Sequence, residues 1–204
     1  MILFSRGEII AQGPELHQDI VVKAGEELFL TLVALCDAQS RENAVFNIDI
    51  QGAGADFRLN GIYVCGGDSR TGIRVNLTHS SGGSKSTQMF RGIVSGNARS
   101  VFDGKITVAP DAQKTEAYQT NRNLLLSDNA SVEASPQLEI YADDVKCSHG
   151  ATSGSLNEDE QFYMRSRGIS LEQARRLQMI SFLSPAMEGL DDIVRERILG
   201  SLRG

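Results

Sequence analysis

Cysteine is scarce in this chain, with three in 204 residues. Cys36, Cys65 and Cys147 are odd in number and irregularly spaced, which argues against a disulfide framework and for a reducing compartment. Basic excess is also missing: 20 Lys and Arg stand against 26 Asp and Glu, a net charge of −6, with a pI near 5.1. No surplus of cations exists to displace counterions from a phosphate backbone, so nucleic acid is excluded as a partner. No apolar run approaches membrane-spanning length, and no membrane association is expected. The opening Met1–Glu8 is too short and too soon charged for a signal peptide. The expected location is therefore the cytoplasm. Ser80–Thr87 looks like a phosphate loop but lacks the required Gly-Lys-Ser/Thr and any strand-to-helix setting. It reads as a mobile turn, and if ATP drives the function of this chain, another protein hydrolyses it.

What is present is short alternation. Val45–Ile50, Ala55–Leu59, Ile73–Leu77, Lys105–Val108 and Leu138–Ile140 place apolar and polar residues in turn. Clusters of Gly, Asn, Asp and Ser at 52–54, 66–69, 80–84, 95–97 and 127–130 separate them. This rhythm predicts an all-β core over residues 1–154, its β character firmest from about Phe29 to Thr152. A sandwich and a parallel β-helix both fit the periodicity. The low apolar fraction, 41%, suits an elongated or glycine-rich β architecture. Gln119, Asn121 and Asn123 alternate in the manner of side-chain amides laddering between stacked coils. His79 is given no site role.

After Ser155 the period becomes helical, predicting a small α appendage over 155–204. Asn157 with Glu160 and Ser170 with Gln173 have capping-box spacing, and Gly168 reads as a stop. Leu171, Ala174, Leu177 and Ile180 lie near one face of the second helix. Ser184-Pro185 reads as the start of a third, with a stripe of Leu190, Ile193, Val194, Ile198 and Leu202. Arg165, Arg167, Arg175 and Arg176 cluster toward the first two helices. A solvated face is the default reading, and docking of a partner the sharper one.

The most informative stretch is Tyr141–Thr152, where Cys147 stands two residues before His149. In an extended strand both side chains share a face. Thiolate and imidazole together suit iron, zinc or an iron–sulfur cluster. Two donors leave the coordination incomplete, so another segment or chain must supply the rest. Spacing alone also fits a buried cysteine beside a hydrogen-bonded histidine. An enzymatic alternative is a β-helix protein acting on polysaccharide through Asp143, Asp144 and His149. It requires Asp143-Asp144 to lie in a turn, and the secretion signal usual for such enzymes is missing. A Cys147–His149 nucleophile pair lacks an evident orienting residue.

The residues from Lys105 to Gly168 resemble the SufD family of iron–sulfur cluster assembly proteins. The resemblance is carried by Phe102–Ile106, Gln113–Ala117, Gln119–Ser127, Pro136–Thr152 and Phe162–Ile169, which follow in family order. The sister SufB proteins carry Glu-His-Glu-Ala-Thr where this chain has Ser148-His149-Gly150-Ala151-Thr152. The resemblance implies a right-handed parallel β-helix followed by C-terminal helices. It also implies a non-catalytic scaffold subunit of a SufBCD complex. The core would pair with a SufB-like subunit, and the helices would dock a SufC-like ATPase through Arg165, Arg167, Leu171, Arg175 and Arg176. A transient cluster or iron would form at the subunit interface with His149 and, less securely, Cys147. The isolated chain is expected to carry no cofactor and to form a homodimer. Family members usually have a longer, partly helical region before the core. The β-like Met1–Ile10 here leaves open a short member or a separate chain.

Overall fold

The computed structural model describes residues 1–5 and 8–202; of the β-like opening, Arg6 and Gly7 lie outside the described residues. Alternation of apolar and polar positions produces ten-residue strands, and turns of similar length stack them in register. After an antiparallel start, β1 (Ile2–Ser5) with β2 (Glu8–Gln12), the strands are β3 (Glu15–Val22), β4 (Glu27–Cys36), β5 (Arg41–Ile50) and β6 (Asp56–Cys65). They continue as β7 (Arg70–His79), β8 (Lys85–Val94), β9 (Arg99–Val108), β10 (Glu116–Leu125), β11 (Ser131–Ile140) and β12 (Lys146–Gly154).

Even and odd strands go to opposite walls. One sheet runs β12-β10-β8-β6-β4-β1-β2 and the other β11-β9-β7-β5-β3. Among β3 to β12 all pairing is parallel, so each rung contributes one strand to each wall, while β1 joins β4 antiparallel. This is a parallel β-helix. Arg41, Arg70 and Arg99 stand above one another, as do Asp56, Lys85 and Glu116. The predicted turn clusters are its corners. In one corner Gly25, Gly54 and Gly83 have φ of 71, 75 and 67°, and Lys114 continues the set at 60°. Backbone bonds join the corner rung to rung: Gly54 N–H to Gly83 O at 2.8 Å and Gly83 N–H to Gln113 O at 2.8 Å. The left-handed conformation recurs because the turn recurs, and glycine adopts it without strain.

The lumen changes character along its axis. Its early rungs are hydrocarbon: Leu30, Leu32, Phe46, Ile50, Phe57 and Leu59 are fully buried. Toward β10 amides take over. Gln119 Nε2 donates to Gln88 Oε1 at 2.8 Å, the expected rung-to-rung ladder. Asn121 and Asn123 depart from it: they meet the phenol of Tyr63, two rungs away. The reason is Gly92, which lies between Tyr63 and Asn123 in the same column and leaves the ring room to pass.

His79 is fully buried between Ser84 Oγ at 2.7 Å and Ser86 Oγ at 2.8 Å. Burial pushes its imidazole down from 6.5 to about 4. Between those pH values the unfolded chain carries a proton here and the folded chain does not, so stability falls as pH falls through that window. His79→Gln should flatten the acid limb of Tm against pH from 6.5 to about 4. An unchanged slope would assign acid sensitivity to other groups.

The helices follow β12 as α1 (Glu158–Ser166), α2 (Leu171–Leu183) and α3 (Asp192–Ser201). The Asn157 side chain accepts from Glu160 N–H, and Ser170 with Gln173 forms a full capping box, as their spacing predicts. Ser184-Pro185 does not open the third helix. Ser184 continues α2 in helical conformation, and Ser184–Met187 is a 3-10 turn. Gly189 turns the chain at φ 78°, and Asp191 caps α3 through Val194 N–H. The buried residues of α2 are Ala174, Met179 and Leu183, while Leu171 and Leu177 are exposed. In α3 Ile198 is buried and Ile193 is 81% exposed. These shifts follow from packing on the outer face of the first sheet. Phe4, Val33, Ile62 and Ile93 join Met179, Leu183, Met187, Leu190 and Ile198 in a second apolar core.

Candidate functional site: the open end of the β-helix

β12 pairs with β10 along its whole length. Its register sets Cys147 on Ala117, His149 on Gln119, Ala151 on Asn121 and Ser153 on Asn123. All four β10 partners are buried lumen residues. Parallel in-register strands put paired side chains on the same face, so Cys147 and His149 continue the inward columns. Among the described residues no further rung follows β12 in its sheet. Its inward positions therefore meet solvent, with Cys147 half-buried and His149 exposed. Burial raises the Cys147 thiol above its ordinary range, which favours the protonated thiol until a cation displaces the proton. The shared face expected for the pair is present, and the rest of a coordination sphere is not. Among the described residues no group of three His, Cys, Asp or Glu side chains has metal-holding geometry.

Asp143 and Asp144 occupy the turn before β12, and both are exposed. That turn is tied to the rung beneath: Asp144 N–H donates to Gln113 Oε1 at 2.8 Å, and Lys114 N–H to Asp144 O at 2.5 Å. The adjoining hollow is lined by Lys114, Glu116, Asp144 and Lys146. Lys146 Nζ lies 2.8 Å from Glu116 Oε1 and holds that carboxyl below its usual range. An acid paired with lysine stays ionised, which is the opposite of what a general acid needs.

The helical candidates separate into two groups. Arg165 and Arg167 are exposed on and after α1, and Leu171 is 44% exposed at the start of α2. Arg175 is half-buried and lines, with Leu171, a hollow beside Ser153–Leu156. Arg176 is engaged internally, donating through a guanidinium N–H to Leu202 O at 2.8 Å. Sequence reasoning missed the aromatic pair on α1. Phe162 is 73% and Tyr163 60% exposed, and Arg167 lies 5.3 Å from the Tyr163 ring centroid. No residue of α1 is buried. The signal was available: Phe162 and Tyr163 follow Glu158, Asp159, Glu160 and Gln161 and precede Arg165 and Ser166, so α1 has too few apolar residues to build a buried face.

No helix among the described residues is long and apolar enough to cross a membrane. Residues 14–182 match the family model described as SUF system FeS cluster assembly, SufBD core domain. The chain is 36% identical to the iron-sulfur cluster assembly protein SufD of Escherichia coli (strain K12) over 187 residues, 91% of this chain and 44% of that protein. It is 44% identical to an iron-sulfur cluster assembly SufBD family protein of Synechocystis over 67% of this chain and 28% of the relative. Against the SufD of Bacillus subtilis identity is 32%, over 61% of this chain and 28% of the relative. The chain thus spans less than half the length of these relatives. A family match over most of the chain, with a relative 36% identical over 91% of it, leads to one conclusion: the chain belongs to the SufBD core family of the SUF iron–sulfur cluster assembly system.

Proposed function

We propose that this chain is a non-catalytic scaffold subunit of the SufD kind, on whose open β-helix end an iron–sulfur cluster is assembled as cargo. The observation that carries the reading is the placement of half-buried Cys147 and exposed His149 on one inward face of an edge strand, a coordination set left unfinished. Two donors hold iron weakly, so a second subunit of the SufB kind completes the site across the edge. An edge strand has unpaired backbone donors and acceptors that favour such pairing. The same edge lets two copies associate as a homodimer when no partner is present. The cluster is transient, and the isolated chain carries none.

A SufC-like ATPase docks on α1 and the start of α2. Phe162 and Tyr163 supply exposed aromatic area, and Arg165, Arg167, Leu171 and Arg175 flank it. Aromatic and arginine side chains carry most of the energy in protein interfaces. Arg176 serves the fold rather than this surface. Co-expression of the chain with a SufB-like subunit and a transporter-type ATPase tests the whole reading, and all three should co-elute. Because α2 and α3 share a core with the first sheet, the docking test uses point changes rather than deletion. Phe162→Ala with Arg165→Glu should weaken ATPase co-purification by about tenfold or more with Tm unchanged. Undiminished binding would move the interface elsewhere.

A further inference from the structure

Gln119 does more than extend a ladder. It is fully buried in the lumen, and its Nε2 donates to Gln88 Oε1 on the rung beneath at 2.8 Å. Its own oxygen, Oε1, is buried and has no hydrogen-bond partner among the described residues. The two other amides of β10 are satisfied. Asn121 Nδ2 donates to the Tyr63 hydroxyl at 3.1 Å, Asn123 Nδ2 donates to Asn121 Oδ1 at 2.6 Å, and the Tyr63 hydroxyl donates to Asn123 Oδ1. Of the β10 amides, Gln119 alone keeps an acceptor open, and a buried acceptor without a donor costs free energy.

The surroundings show which donor it awaits. A carboxamide carries its nitrogen and oxygen on opposite edges. With the nitrogen committed to Gln88, the oxygen is turned away from the rung beneath. In a rung-to-rung ladder that oxygen accepts from the next residue of the column, and the next residue is His149, the register partner of Gln119 on β12. On the facing wall Gly104 leaves the amide its room, since a β-carbon there would lie 2.5 Å from Oε1. The residue above Gly104 is Pro136, which has no N–H. A neutral imidazole has one N–H and one lone pair. We infer that Gln119 is the positioning residue of the assembly site: the His149 N–H donates to Gln119 Oε1, which fixes the tautomer and turns the lone pair of the other ring nitrogen toward iron. The inference rests on the assembly site proposed above. In the free chain His149 is exposed, and a rotamer change at this uncovered position seats the ring when a metal binds. Metal-bound histidines ordinarily give their second N–H to such an acceptor, and the bond raises the basicity of the ligating nitrogen.

The test is anaerobic titration of the full chain with Co(II), read by visible absorption and proton NMR. The unmodified chain should bind one equivalent and show one paramagnetically shifted imidazole N–H that exchanges slowly with water. Gln119→Leu should abolish that slow resonance and weaken Co(II) binding by about tenfold or more. Gln119→Glu should restore both, because a carboxylate still accepts the N–H, and Gln88 Nε2, itself unpartnered, can turn to it. Gln88→Leu removes the same ladder bond and should leave affinity and resonance as in the parent; an equal loss there would make the role structural and overturn the inference. The slow N–H of the unmodified chain is measurable even if Gln119→Leu fails to fold, and its absence would also overturn the inference. His149→Ala separates the two readings. Loss of Co(II) in His149→Ala with parent affinity in Gln119→Leu leaves the assembly site standing and removes this inference alone. Parent affinity in His149→Ala, or no Co(II) uptake by the unmodified chain, overturns the assembly-site reading and this inference with it.

Discussion

Iron and acid-labile sulfide should fall to background when His149→Ala replaces the parent chain in a complex with a SufB-like partner and the ATPase. His149 is exposed and stands on the Gln119 column at the last rung. Among the described residues nothing packs above it, so its loss should shift stability by no more than ~0.5 kcal/mol, and complex formation should be intact. A defect in cluster content with unchanged Tm and unchanged co-elution separates a ligand from a structural histidine. Cys147→Ser should have a smaller effect, because its half-buried thiol resists ionisation. Normal iron and sulfide content in His149→Ala would locate assembly elsewhere.

Gly61→Val should be the most damaging single change in the body, lowering stability by about 3 kcal/mol. Gly61 is the register partner of Phe90, whose ring folds over the glycine. A β-carbon there would overlap the ring. Phe90 cannot retreat, since it lies tilted against Phe102 with centroids 4.6 Å apart. At this chain length 3 kcal/mol is roughly 6–12 °C in Tm. Phe90→Leu in the same chain should recover part of the loss, because it removes the colliding edge. Two additive losses would mean that Gly61 is needed for its backbone rather than for Phe90.

The strands that alternate cleanly in sequence are those with one wet face, such as Arg41–Ile50 and Arg70–His79. Leu30–Ala34 and Leu59–Tyr63 are buried on both faces. Their inner side meets the lumen, and their outer side meets α2 and the 3-10 turn, where Asn60 Nδ2 donates to Ala186 O at 3.4 Å. A strand covered on both sides loses its period of two, which is why 59–65 was harder to read than 45–50. The shared face of Cys147 and His149 was legible from spacing. Its position at the last rung was not, because that depends on how many rungs precede it. The meeting of Tyr63 with Asn121 and Asn123 was hidden for the same reason: their separation becomes meaningful only once the length of a rung is known. The third helix was misplaced because Ser184-Pro185 suits a 3-10 turn as well as an α-helical start.

The passage of the lumen from hydrocarbon to amide also divides the molecule energetically. In a stacked array each rung is stabilised by its own burial and by its neighbours. Rungs filled with Leu, Ile and Phe anchor one end, while β12 rests on Gln119, Asn121 and Asn123 and is covered by no other strand among the described residues. Opening free energy therefore declines along the axis, and amide protection against exchange declines with it. At the β12 end a fluctuation uncovers amides rather than hydrocarbon, so it exposes less apolar surface than the same motion at an earlier rung. The segment bearing His149 is therefore held in register from one side alone, by the backbone of β10.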